Sequence, residues 1–167
     1  MLIEVGNAAL VEAYLRSHSE QVEVADLAVQ QAEDIDFFFL NKNSERKSVE
    51  VKYDQQGHET GNFAFETISN ELTPTRGCFL RTTADWFFYY LVATGDLYIM
   101  ETESTRQWFL DHIQQGRSPA LRHYTTLSYD RHGRVFPSRG WLVPISLLNE
   151  QGLIAKRVRL KTEGLEG

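Results

Sequence analysis

Cysteine is almost absent from this 167-residue chain: Cys78 stands alone, which excludes intrachain disulfides and cysteine-rich zinc sites and points to a reducing, cytoplasmic setting. No apolar run approaches the roughly 18 residues that a membrane-spanning helix requires. The opening Met1-Leu2-Ile3-Glu4-Val5-Gly6 lacks the basic-then-apolar order of a secretory leader. Only four prolines are present, and no stretch rich in Gly, Pro or Ser reads as a linker. Without repeats or low-complexity tracts, residues 1–167 read as a single domain of common size.

Positive charge is also scarce. The net charge of -6 argues against a nucleic-acid partner until its distribution is considered. Residues 1–75 carry 5 Lys+Arg against 14 Asp+Glu, a net -9, whereas residues 76–167 carry 12 against 9, a net +3. Arg117, Arg122, Arg131, Arg134 and Arg139 crowd one segment in which Asp130 is the only acid. An acidic first half and a basic second half suit an enzyme that holds metal in one place and phosphates in another.

What is present is a chain of alternating patterns. Ala8, Val11, Tyr14, Leu15 and His18 recur at helical spacing, predicting a helix over 6–18. Residues 27–31 read as a weak strand. Ile35-Asp36-Phe37-Phe38-Phe39-Leu40 is almost continuously apolar, as in a strand covered on both faces. After turn residues 41–46, Ser48-Val49-Glu50-Val51-Lys52-Tyr53 alternates, with Glu50 and Lys52 on one face. Further strands are expected at 62–66, 78–81, 86–92 and 97–100. A helix is expected from a capping box at Ser104-Thr105-Arg106-Gln107 to Gly116. Residues 119–140 read as loop, and Trp141 to Leu148 as an edge strand or short helix because of Pro144. The order indicates an α/β or α+β fold with a mixed central sheet flanked by helices.

Glu50 and Lys52 project from one strand face about 6–7 Å apart along the chain. A hairpin turning near residue 43 or 44 brings Asp36 opposite residue 50 or 52. Two carboxylates so placed repel unless a cation joins them. Mg²⁺ takes oxygen ligands and often only one or two carboxylates, so Asp36, Glu50 and the Val51 carbonyl suffice beside waters and a phosphate oxygen. Lys52 then orients and helps deprotonate an attacking water, or neutralises charge developing on phosphorus. The plainer alternative is an Asp36–Lys52 salt bridge in an unrelated α+β protein.

Helix, then Asp36 opening an apolar strand, then Val49-Glu50-Val51-Lys52 on the next, resembles the core of the PD-(D/E)XK nuclease superfamily, over residues 8–54. Ile35 stands where that motif often has proline, which keeps Asp34 in reserve. The resemblance implies a restriction-endonuclease-like core, with Asp36 and Glu50 holding Mg²⁺ (Mn²⁺ substituting) and Lys52 serving the water. It also implies a helix-borne acid, for which Glu12 fits best, although an i,i+4 pair with Arg16 explains Glu12 equally well. Glu66 is a possible additional acid. The implied activity is Mg-dependent endonucleolytic hydrolysis of duplex or branched DNA by a homodimer or higher homo-oligomer. The five arginines from Arg117 to Arg139 are the expected DNA-docking residues, and Lys156, Arg157, Arg159 and Lys161 form a second basic cluster. The alternative within the same fold is a catalytically silent nucleic-acid-binding or assembly module.

Overall fold

The computed structural model describes residues 2–114, 120–130 and 132–160. Gly116, Arg117, Arg131 and Lys161, all named above, lie outside the described residues.

Helix α1 (Leu2–His18) turns Val11 and Leu15 into the core. After β1 (Val22–Val24), residues 27–33 form a helix, α2 (Leu27–Glu33), where the sequence suggested a strand. Its start is set by Asp26, whose side chain accepts from the Val29 N–H at 3.0 Å. It ends at Asp34 in the left-handed region, φ 49°.

Strands β2 (Phe37–Leu40) and β3 (Arg46–Asp54) form the expected hairpin, paired from Phe37↔Val49 to Leu40↔Arg46. The Asn41 side chain secures the turn by accepting from the Asn43 and Glu45 N–H groups. The chain then leaves this sheet through α3 (Gly57–Thr60), β4 (Asn62–Asn70), β5 (Thr75–Arg76) and α4 (Cys78–Arg81). Residues 78–81, expected as a strand, are a single helical turn. The chain returns as β6 (Trp86–Leu91), parallel to β3, and a tight turn leads into β7 (Asp96–Glu101). The β3–β6 connection is a crossover, as a parallel pair requires.

Helix α5 (Thr102–Gln114) starts two residues before the proposed cap. Ser104 lies inside it, hydrogen-bonded to the Glu101 side chain, so no capping box forms. Residues read as loop instead build a hairpin, β8 (Arg122–Tyr129) and β9 (Val135–Pro144). Strand β9 lies between β4 and β8, not at an edge; Pro144 is tolerated because β8 has already ended beside Leu142. A short α6 (Ile145–Glu150) and β10 (Ile154–Arg159) follow.

The result is α+β, with a six-stranded mixed sheet, β1-β2-β3-β6-β7-β10, and a four-stranded antiparallel sheet, β5-β4-β9-β8, flanked by helices. Alternation along β3 and β6 divides the large sheet into two faces. Val49, Val51, Phe88 and Tyr90 pack beneath α1 with Val11 and Leu15. Phe87, Tyr89 and Leu91 face the second sheet with Phe63, Phe65, Phe79 and Phe109. Phe63 stacks on Tyr89 at 4.0 Å between ring centroids, and Phe65 on Phe79 at 4.0 Å. Among the described residues no helix is long and apolar enough to cross a membrane.

Candidate active site

The β2–β3 register decides where Asp36 sits. One step before the Phe37↔Val49 pair, the Asp36 N–H donates to the Val49 carbonyl at 2.8 Å. Its carboxylate Oδ2 accepts from the Val51 N–H, also at 2.8 Å. Asp36 thus brackets Glu50 from both sides. The Val51 N–H points to the edge where β2 has ended. In a strand, a residue's carbonyl faces the same side as its N–H, so the Val51 carbonyl is directed there too.

Glu50 and Lys52 extend from β3 on the face that carries Phe87 and Tyr89, register partners of the two in β6. The Asp36 and Glu50 carboxyls share a sheet face, one step before the Phe37↔Val49 pair, and the Asp36 charge acts on Glu50. Burial raises both. For Glu50 the shift reaches about 9, with the negative charges of Asp36 and Asp34 adding to burial and Lys52 opposing them. Asp36 rises less freely because the Val51 N–H stabilises its anion. Near neutrality Glu50 therefore keeps its proton, and the ionisation of each carboxyl is tied to that of the other. No ion pair joins Asp36 to Lys52, so the salt-bridged-hairpin alternative lacks its bridge.

Lys52 lines an open cleft of about 580 Å³ between the end of β3 and the second sheet. Asp54, Glu66 and Tyr124 are among the other walls. Glu66, Glu50, Lys52 and Asp34 all act electrostatically on the Cys78 thiol, which burial pushes up to about 12. Cys78 is therefore a protonated neighbour of the site and a poor nucleophile. Glu66 shares the cleft, yet among the described residues no three Asp, Glu, His or Cys side chains form a metal-holding group. The carboxylate pair and one carbonyl are what the chain offers, and that set fits Mg²⁺ with its retained waters.

Two acids considered from sequence stand elsewhere. Glu12 lies on α1, which packs against the opposite face of β3, and it binds Arg16 at 2.6 and 2.9 Å. The helix-borne role therefore has no geometric support, and the i,i+4 pair accounts for Glu12. Asp34, the reserve, is locked in a two-pronged pair with Arg81 at 2.5 and 2.6 Å, while the Thr82 hydroxyl donates to its backbone carbonyl at 2.6 Å. Its charge acts on Asp36 and Glu50, but its oxygens are occupied.

Of the five arginines, Arg122, Arg134 and Arg139 are described. Arg122 is exposed on β8, in line with Tyr124 and Thr126, which wall the cleft. Arg134 is tied to Asp130 at 2.6 Å and Arg139 is paired with Glu71, so both carry less free charge than the sequence count suggested.

Other residues of the site had no sequence signal. Asp54 accepts from the Tyr89 hydroxyl at 2.5 Å, and that hydroxyl accepts from the Ala64 N–H at 2.8 Å. This relay fixes the end of β3 against β4. The structure extends β3 to Asp54, which joins the Glu50 face; nothing in the sequence joined it to Tyr89. Compared with known protein families, with characterised proteins and with solved structures, the chain matches none.

Proposed function

We propose that this protein is a Mg²⁺-dependent DNA endonuclease whose centre is Asp36, Glu50, the Val51 carbonyl and Lys52. The observation that carries the reading is the half-buried Asp36–Glu50 pair, with Lys52 two residues along the same strand face at the wall of an open, polar cleft. Two carboxyls brought together on one sheet face make sense as ligands for a divalent cation. The sequence resemblance to PD-(D/E)XK nucleases supports the same assignment.

In this reading Asp36 and Glu50 would hold the ion through their carboxylate oxygens, with Glu50 ionised. The Val51 N–H fixes the Asp36 carboxylate, leaving Oδ1 to ligate. The ion supplies Lewis acidity and lowers the pKa of a bound water. Lys52 steadies that water and the charge developing on the phosphoryl oxygens. The cleft receives the phosphodiester, and the protein acts on DNA as a homo-oligomer when both strands of a duplex are cut.

The test is incubation of purified protein with supercoiled plasmid and with a four-way DNA junction, in Mg²⁺ and in EDTA. Cleavage in Mg²⁺ alone, abolished in Asp36→Asn, is the expected result. Equal cleavage by Asp36→Asn, or none by wild type on either substrate, contradicts the proposal.

A further inference from the structure

A second hollow, of about 620 Å³, opens on the other side of α3, where α3, α6 and β10 meet. Its walls include His58, Thr60, Thr94, Ser146, Arg157 and Arg159. Arg157 and Arg159 are alternate residues of β10 and so share a strand face, and both reach Asp96 on β7. Arg159 holds it at 3.0 and 3.1 Å, and Arg157 at 3.2 and 3.3 Å. The Asp96 side chain is 5% exposed, whereas those of Arg157 and Arg159 are 55% and 60% exposed. One carboxylate from below orients two guanidiniums and cancels only one of their charges. The guanidinium N–H groups not used on Asp96 and the exposed Ser146 hydroxyl are donors in the hollow. A fixed pair of guanidinium forks with surplus positive charge matches an anion bearing several oxygens.

Continuity identifies the anion. Gly57, Thr60 and Asn62 line both this hollow and the Lys52 cleft, so the two are adjoining compartments with α3 as their common wall. A chain of phosphates lying in the cleft leads over that wall to Arg157 and Arg159. We propose that the Arg157–Arg159 hollow binds a phosphate of the DNA strand that flanks the phosphodiester held beside Lys52. The proposal rests on the nuclease reading for the identity of that strand. It puts the principal docking contact on β10, away from the Arg117–Arg139 segment.

The test measures binding of a duplex oligonucleotide in metal-free buffer across a salt series, so that affinity is read without cutting. Replacing both arginines removes the partners of buried Asp96 and risks misfolding, so the primary variant is Ser146→Glu, at an exposed wall position that leaves that trio intact. Ser146→Glu should weaken DNA binding at least about fivefold and lower the slope of log K against log salt by about one, as one phosphate contact is lost. Arg157→Gln with Arg159→Gln, once shown to be folded by its melting transition, should do the same or more. Lys42→Gln, which removes a positive charge from the distant β2–β3 turn, controls for net charge. Wild-type affinity and slope in Ser146→Glu overturn the proposal. Unchanged DNA binding with weakened binding of inorganic phosphate also overturns it, making the hollow a site for a free anion. If wild type never cuts yet Ser146→Glu weakens DNA binding, the nuclease reading fails and the phosphate site stands. If Asp36→Asn alone abolishes cutting and Ser146→Glu changes nothing, the reverse holds.

Discussion

Glu50 is the residue at which the site's chemistry can be read most simply. Burial and the neighbouring carboxylates raise it to about 9 from an ordinary 4.5, so the folded protein keeps a proton that the unfolded chain has released. Stability therefore falls as pH rises from about 4.5 towards 9 and levels off above that, where both states have lost the proton. Glu50→Gln should flatten this dependence and raise the urea midpoint at pH 8.5 more than at pH 5. A variant with the wild-type slope would show that Glu50 is not the strained member of the pair. In the proposed reading, Mg²⁺ held by the pair at neutral pH would displace the same proton, so metal affinity should climb with pH over that window. That Asp36 faces residue 50 or 52 was legible from sequence because a hairpin's turn sets its register and strand parity sets its faces, and the structure selects Glu50. The raised pKa of Glu50 was not, because it depends on how deeply the pair is buried.

At the scale of elements, local alternation succeeded and local ambiguity failed. Strands β2, β3, β6 and β7 carried enough β-branched and aromatic residues to be read directly. The Leu27–Glu33 segment has no period-2 pattern, and its helix is fixed by the Asp26 cap. Strand β8 is mostly exposed, so its Arg-His-Tyr-Thr-Thr-Leu-Ser-Tyr pattern lacked the buried face by which strands are recognised. The Asp34–Arg81 pair, which ties the end of α2 to α4, spans 47 residues and left no local trace. Arg81→Ala leaves a nearly buried carboxylate unpaired beside Asp36 and Glu50. Because Arg81 is partly exposed, the cost should be about 1–3 kcal/mol, less than for a fully buried pair. Chemical denaturation reads it directly. A loss within error would mean that water replaces the guanidinium.

For the whole molecule, the chain's acidity and its proposed partner are reconciled by placement. In the first half of the chain Asp36 and Glu50 meet at the site, while Glu12, Glu23 and Asp34 are paired with arginines. Among the described residues Arg122, Arg157 and Arg159 are exposed cations on β8 and β10, away from the β2–β3 hairpin. The crossover through α3, β4, β5 and α4 closes the cleft over Lys52 and also builds the second sheet, so site and fold depend on the same segment. A silent binding module with this fold would share every feature except turnover. Lys52 separates the two, because it faces the cleft without forming an ion pair with Asp36. The most direct measurement is the rate of supercoiled-plasmid cleavage in Mg²⁺ by wild type and Lys52→Ala at equal DNA occupancy, each shown to be folded. The expected result is cutting by wild type and a loss of roughly two to four orders of magnitude in Lys52→Ala, with its denaturation midpoint little changed. Cutting at the wild-type rate by Lys52→Ala would contradict the account.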